Sequence, residues 1–439
     1  MKLARLAPLS AALLLAWGAP ARAESLLELY EMAKAYDATW QGARAQYEAN
    51  LARAEQARAG LWPTAGLQAG MTRNRFENDN PAVERSYTTK SASVSASQPL
   101  YRPANTATAE QGDRQVRLAE YALTTASQDL IVRVSQAYFD VLAAQDTLTF
   151  VRAQKAANAE QLAAAKRNFE VGTSTITDTR EAQARFDLVV AQEIAAENDL
   201  RVKKLALDNL VGKRDVQPNP LLTPLNVQPP QPADPETWVQ AAEAASPAIL
   251  SARAAVEVAE LETVKAKAGH KPTVDLNASY SLTRSSGSTT SAAESRPKNA
   301  SLGVVLNLPL FAGFAVQNRV RETLSLEEKA RADLEAARRT VSQAVRTAYF
   351  GVLSGQGQVR ALEAAEASSQ SALDANRLGY QVGVRINIDV LNAQSQLFQT
   401  KRDLAVARYN VLLGGLRLRQ ANGTLQAEDL TQLNKLVGK

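Results

Sequence analysis

Leu130-Ile131-Val132-Arg133-Val134-Ser135-Gln136-Ala137-Tyr138-Phe139-Asp140-Val141-Leu142 returns later in the chain as Val341-Ser342-Gln343-Ala344-Val345-Arg346-Thr347-Ala348-Tyr349-Phe350-Gly351-Val352-Leu353. Tyr138 and Tyr349 set the offset at 211. In the first copy Leu130, Val134, Ala137, Val141, Ala144, Leu148 and Val151 step by four and three residues alternately. Val341, Val345, Ala348, Val352, Gly355, Val359 and Leu362 repeat those steps. Such spacing lines apolar positions along one side of a helix and favours left-handed coiled packing against a partner helix.

Working outward, the same offset carries Val171-Gly172 onto Val382-Gly383, Asp178 onto Asp389, Ala182-Gln183 onto Ala393-Gln394 and Gly212 onto Gly423. Upstream it drifts slightly, pairing Pro99-Leu100 with Pro309-Leu310 and Pro63-Thr64 with Pro272-Thr273. A shared register of this length reads as a tandem duplication, with a period too large for a solenoid of short units. The first repeat is assigned to 24–212 and the second to 235–423, with a linker at 213–234 and a C-terminal segment at 424–439.

Each repeat has the same predicted order. A first helix covers 26–60 or 235–269 and ends at Gly followed by Pro, a stop signal and then a residue that favours extended chain. A strand pair follows, at 65–98 in the first repeat and 273–308 in the second. Val274, Leu276, Ala278, Tyr280 and Leu282 alternate with Asp275, Asn277, Ser279 and Ser281, and Leu302, Val304, Leu306 and Leu308 continue the pattern after a polar loop at 285–299. Alternation of period two with one apolar side predicts half-buried strands. In the first repeat the expected alternation is fainter, at 65–76 and 89–98, joined by a polar loop containing Asn78, Asp79 and Asn80. Long helices without proline are predicted over 105–171 and 315–382; about 67 residues at ~1.5 Å each extend ~100 Å. Breaks at Gly172 and Gly383 turn the chain into return helices over 174–210 and 386–421. The fold class is therefore mainly α with membrane β.

Composition narrows the function. Aromatic residues are only 5% of the 439, which argues against several compact cores built on large rings. There is no cysteine and one histidine, His270, so no disulfide frame, thiol chemistry or zinc centre is expected. Residues 1–23 read as a secretory signal: Lys2 and Arg5, then an apolar run over 6–17, then Ala21-Arg22-Ala23 as a small-x-small cleavage pattern. Its removal takes three positive charges from a formal +5 and leaves +2, so no nucleic-acid partner is expected. No later stretch reaches ~18 apolar residues, so no transmembrane helix is expected. No Ser/His/Asp set and no phosphate-cradling Gly loop after a strand is found, and the acids lie along solvated helix faces. An enzyme, a cofactor and a metal are not expected.

Two strand pairs cannot satisfy their own edges. In lipid those edges have no water, so closure into a barrel is required, and four strands per chain demand several copies.

Glu24-Ser25-Leu26-Leu27-Glu28-Leu29-Tyr30, the 124–142 stretch, Asn168-Phe169-Glu170-Val171-Gly172 with Ile176-Thr177-Asp178, Leu308-Pro309-Leu310-Phe311-Ala312-Gly313, and Gly379-Tyr380-Gln381-Val382-Gly383-Val384-Arg385 with Asp389-Val390-Leu391 together resemble the TolC-like outer-membrane factors. The likeness spans nearly the whole mature chain. It implies a homotrimer in which a twelve-stranded outer-membrane barrel continues into a twelve-helix periplasmic tunnel. Residues 212–234 and 424–439 would contribute to a belt around it. It implies a passive exit duct for drugs, small molecules or type I secreted proteins, docked to a periplasmic adaptor (membrane fusion protein) and an inner-membrane pump. The alternatives from the residues alone are a periplasmic adaptor or a coiled-coil structural protein of the envelope.

The resemblance also assigns residues. Asp389 matches an acid in a ring at the narrow periplasmic entrance, where acidic rings favour cations. Asn392 stands one helical turn on, where the family often has a second acid, so the ring carries half the charge. Tyr380 and Arg385 match residues that hold the entrance closed, with Thr177 and Asp178 matching their partners. Val171, Gly172 and Thr173, with Val382, Gly383 and Val384, match turns that contact an adaptor. The plain alternatives are that Tyr380 packs, Arg385 is solvated, the glycines serve sharp turns, and Asp178 with Glu181 forms a helix-starting capping box.

Overall fold

The structure, a computed structural model, describes residues 24–221 and 229–435. The predicted signal at 1–23, part of the linker and the last four residues lie outside the described residues. The elements are α1 (Leu26–Tyr36), α2 (Ala38–Ala59), β1 (Thr64–Asp79), β2 (Ala82–Tyr101), α3 (Pro103–Glu170), α4 (Ile176–Val211), α5 (Pro235–Ala245), α6 (Pro247–Lys267), β3 (Thr273–Ser285), β4 (Lys298–Asn307), α7 (Ala315–Gln381), α8 (Asn387–Ala421) and α9 (Ala427–Asn434). Two short helices, two strands, one very long helix and a return helix thus appear in the same order twice.

The single first helix expected in each repeat is broken in two. At Asp37 the backbone leaves the helical region with ψ 117. The carboxylate then accepts the Trp40 N–H at 2.7 Å and both terminal nitrogens of Arg133, at 2.8 and 3.0 Å. The Arg133 guanidinium holds the Asp37 carboxyl below its ordinary value against the opposing effect of burial. The matching break falls at Ser246-Pro247, where proline has no N–H to continue the ladder and pushes its predecessor out of the helical region.

The chain divides into two compact units. One comprises 24–42, 125–246 and 341–435. Its core gathers Leu26, Leu29 and Tyr30 of α1, Leu130, Val134, Tyr138 and Val141 of α3, Leu207 of α4, Leu413 and Leu416 of α8, and Leu430 of α9. Each buried Leu or Tyr contributes roughly 1.5–3 kcal/mol by leaving water. Tyr138 is fully buried and donates its hydroxyl to the Asn219 carbonyl at 2.7 Å. The predicted seam is buried at Leu130, Val134, Val141, Ala144, Leu148 and Val151, and at Val341, Val345, Val352 and Val359. Gly355 sits in it because a Cβ there would meet Val411 Cγ2 at 2.8 Å, closer than α7 and α8 allow.

The second unit, 43–124 with 247–340, holds one antiparallel sheet in the order β1-β2-β3-β4. Most of the polar loop expected between 76 and 89, including Asn78 and Asp79, is instead strand. β1 and β2 pair as far as Asp79 with Ala82, leaving Asn80-Pro81 as the whole turn. Arg75 to Glu84 at 2.7 Å and the Asn78 amide on the Pro81 carbonyl at 3.0 Å hold that end. These polar side chains do not oppose a strand, because the sheet has no covering layer to demand apolar partners.

The sheet has two chemically distinct faces. Register places Leu67, Val94, Tyr280 and Ala300 side by side, and Gln68, Ser93, Ser281 and Asn299 side by side on the opposite face. Because alternate residues share a face, one face carries Leu67, Met71, Val94, Tyr280, Leu282, Leu302, Val304 and Leu306, and the other is mostly Gln, Ser, Thr, Asn and Gly, with Phe76, Tyr87 and Val305 among its larger apolar side chains. The apolar side chains are open: Leu67 is 76% exposed and Leu302 74%. β1 and β4 are the end strands of the sheet, each paired on one side only.

Candidate functional site at the paired helical turns

Both long helices end by reversing at a glycine. Gly172 has φ +76 and Gly383 φ +80, with open space around each position a Cβ would take. Glycine is therefore required here by backbone conformation, since side-chain-bearing residues are strained in the left-handed region. In the first turn the Thr173 N–H reaches the Asn168 carbonyl at 2.8 Å; in the second, the N–H groups of Val384 and Arg385 reach the Gly379 carbonyl at 2.9 and 3.1 Å. Val171, Val382 and Val384 project outward, at 64–75% exposure.

α4 starts with a capping box. The Thr175 hydroxyl accepts the Asp178 N–H at 3.2 Å, while the Asp178 carboxylate accepts the Thr175 N–H at 3.0 Å and both the Thr175 and Ser174 hydroxyls at 2.8 Å. The box lies one turn earlier than Asp178 with Glu181 predicts, because Thr175 is the capping residue and Asp178 the third position of the helix. Burial pulls the Asp178 carboxyl up, but the bonds from Thr175 and Ser174 together outweigh it and hold the group below the ordinary aspartate value.

α8 starts with Ile386, which offers no side-chain cap. Asp389, in the position that matches Asp178, has as its side-chain partner among the described residues the Arg385 guanidinium, at 3.6 Å. Tyr380 is half-buried against Leu373, Val390 and Leu397, and its hydroxyl accepts from the Asn168 amide at 3.3 Å. Thr177 is exposed. Within one chain, then, neither Tyr380 nor Arg385 is joined to Thr177 or Asp178: Tyr380 turns to Asn168 and Arg385 to Asp389. Asn392 accepts from the Arg185 guanidinium of α4 at 2.8 Å.

Sequence reasoning missed the amides that tie the two turns together. Asn387 is fully buried; it accepts from the Gln161 amide and donates to the Asp178 carbonyl at 3.4 Å. Gln394, also buried, donates to Asn158 at 3.2 Å, and Asn158 donates to the Arg185 carbonyl at 3.4 Å. The signal was legible: Asn387, Leu391 and Gln394 share one face of α8, and two amides on an otherwise apolar stripe announce polar partners. Among the described residues no group of His, Cys, Asp and Glu is placed to hold a metal ion, and no helix is long and apolar enough to cross a membrane.

A strand wall that is polar on one side and apolar on the other, in a chain that also folds two helical hairpins, is the pattern of an outer-membrane channel subunit. The family can be named: the sequence pattern of the outer membrane efflux protein family matches residues 29–213 and 238–424, and the chain belongs to that family. It is 34% identical to outer membrane protein TolC of Vibrio cholerae over 94% of this chain and 93% of that one. It is 32% identical to alkaline protease secretion protein AprF of Pseudomonas aeruginosa, over 92% and 85% respectively. Among solved structures it superposes on CusC with a TM-score of 0.80, covering 91% of this chain and 92% of that chain at 18% identity. The outer membrane protein VceC of Vibrio cholerae superposes with a TM-score of 0.79, covering 91% and 96% at 18% identity.

Proposed function

We propose that this chain is one subunit of an outer-membrane exit duct serving both efflux of small molecules and type I protein secretion, passive in itself and driven by its partners. The observation that carries the reading is the sheet: four strands, an exposed apolar face, a polar face, and an end strand on either side with room for another. Leaving Leu67, Met71, Leu302 and Leu306 in water would cost roughly 1.5–3 kcal/mol each, and open strand edges in lipid cost more. Three copies joined edge to edge give twelve strands, with the apolar face toward lipid and the polar face toward a water-filled lumen. Export would remove residues 1–23 and leave the helical hairpins in the periplasm. Their turns, with Val171, Gly172 and Thr173 and with Val382, Gly383 and Val384 outermost, meet a periplasmic adaptor that couples the duct to an inner-membrane pump. The names of the related TolC and AprF proteins support outer-membrane and secretion roles.

The turns form the entrance. Asp389 supplies one carboxylate per subunit to a ring that favours cations, and Asn392, bound to Arg185, supplies none. Reconstitution in planar bilayers tests this. The wild-type protein should conduct with a preference for cations, and Asp389→Ala should reduce that preference. Reversal potentials equal to wild type would remove Asp389 from the ring, and absence of any conductance would sink the duct.

A further inference from the structure

The apolar face of the sheet does not stay apolar to its end. Register puts Lys90 directly between Met71 of β1 and Arg284 of β3, and Lys298 of β4 beside Leu282. Arg73, two residues beyond Met71, falls on the same face. So a row of cations crosses all four strands on the surface that also carries Leu67, Val94, Tyr280 and Leu302. Lys90, Arg284, Lys298 and Arg296 line one open depression of about 310 Å³, floored by Ala92 and Leu282. Glu294 is the acid beside them, accepting from Arg284 at 2.5 Å and Arg296 at 3.1 Å. Arg73, Lys90 and Lys298 make no ion pair among the described residues, and all are exposed.

Position along the strands decides what such a row is for. On β4 the interval from Leu306 to Lys298 is eight residues, or ~27 Å at ~3.4 Å each. That is of the order of the ~25 Å apolar band of outer-membrane barrels. The cations therefore stand where hydrocarbon gives way to headgroups. They lie at the end where the strands reverse through Asn80-Pro81 and the 286–297 loop, away from the helices. The helix-side end carries aromatics instead: Trp62, Phe311 and Phe314 are 62–74% exposed, the two Phe rings 5.4 Å apart edge to face. Aromatics suit either interface. Beyond Arg73 on the same face, Arg75 pairs with Glu84 and Glu77, but at the depression itself four cations meet one carboxylate, Glu294. That excess suits a polyanionic headgroup, because guanidinium and ammonium groups bind phosphate oxygens by charge-assisted hydrogen bonds.

We propose that Lys90, Arg284, Arg296 and Lys298, with Arg73 beside them, form a binding site for the phosphate groups of an outer-leaflet phosphorylated glycolipid, whose acyl chains lie against Leu282, Val94 and Tyr280. The proposal rests on the outer-membrane reading above.

The test compares the wild type with a Lys90→Gln, Arg284→Gln, Lys298→Gln variant, both extracted from outer membranes in mild detergent and assayed for glycolipid retained per protein. Each near-surface cation contributes about 1 kcal/mol to anionic lipid binding, so removing three should lower retention by roughly a hundredfold. A Lys90→Arg, Arg284→Lys, Lys298→Arg variant should retain the wild-type amount, as should a control with Arg44, Lys329 and Arg339 changed to Gln. Enzymatically dephosphorylated glycolipid should bind wild type and variant alike, and millimolar inorganic phosphate should not displace the intact lipid. Equal retention by wild type and triple variant, or equal binding of dephosphorylated and phosphorylated lipid, overturns the site. Planar-bilayer conductance of the same samples separates the two readings. Conductance with unchanged lipid retention sinks the lipid site alone, whereas absence of conductance in the wild type sinks the duct and this site with it.

Discussion

Thr175 and Ile386 occupy matched positions at the starts of α4 and α8, and only the threonine can cap a helix. The first turn is closed on itself: Thr175, Ser174 and Asp178 satisfy one another, and a cap of this kind contributes about 1 kcal/mol. The second turn leaves its helix start without a side-chain partner. It also places Arg385 just before α8, where the helix dipole opposes a cation. Asp389 offsets that charge, but an exposed pair at 3.6 Å contributes at most ~0.5 kcal/mol. What holds the second turn is borrowed: Tyr380 on Asn168, Asn387 on Gln161 and Asp178, Gln394 on Asn158, Asn392 on Arg185. One tip is therefore stable alone, while the other depends on its neighbour. If, as proposed above, these turns form an entrance that a partner opens, the dependent tip is the element able to move.

The largest test of that contrast is Asn387→Leu. It leaves the Gln161 amide and the Asp178 carbonyl without their partner in a dry place, which costs about 1–3 kcal/mol. Amide hydrogen exchange through the first turn of α8 should speed up by roughly tenfold or more. The matched change at the first tip, Ile176→Leu, falls on a half-exposed side chain and should shift exchange by no more than ~0.5 kcal/mol. Equal exchange at both tips would mean that the amides do not hold α8.

Swapping the caps is the next test. Thr175→Ala should loosen the start of α4 by about 1 kcal/mol, and Ile386→Thr should tighten α8 by a similar amount by giving Asp389 a capping box. The wild-type box has a definite pH window. Because the Asp178 carboxyl lies below its unfolded value of about 3.9 in the folded protein, its contribution is fully present above about pH 4. It is lost as pH falls through the lowered folded value. Protection of the Thr175 and Asp178 amides should accordingly be flat from pH 7 to about 4. A decline beginning near pH 6 would contradict the assignment.

How much of this could be read from residues follows from which forces are local. The 4-3 spacing about Tyr138 and Tyr349, the alternation of Val274 to Leu282, and the glycines at 172 and 383 each report a backbone periodicity or a φ requirement, and the elements stand close to where those signals put them. The breaks at Asp37 and Ser246 were missed because helical periodicity runs through them; Asp37 ends α1 by binding Arg133, which lies far away in sequence. The strand through Asn78 and Asp79 was read as loop because polar composition normally means water, and an uncovered sheet removes that inference. At the turns, the sequence located Tyr380, Arg385 and Asp389 but not their partners. Asn168, Arg185 and Gln161 are polar helix residues of ordinary appearance until another helix stands opposite.

The smallest expected effect concerns how Arg385 is shaped rather than what it pairs with. A Cβ at Gly379 would meet Arg385 Cγ at 2.7 Å, so the arginine stem folds across the last turn of α7 only because position 379 has no side chain. At the first tip the matched residue is Asn168, which uses its side chain to reach Tyr380 instead. Gly379→Ala should push Arg385 off Asp389, and Arg385→Ala removes the same contact, each worth at most ~0.5 kcal/mol of tip stability but raising planar-bilayer conductance. If the two positions act through one contact, the double variant should conduct no more than either single one. Additive increases would show that Gly379 governs the turn independently of Arg385, and the second tip would then owe its looseness to the backbone, not to its missing cap.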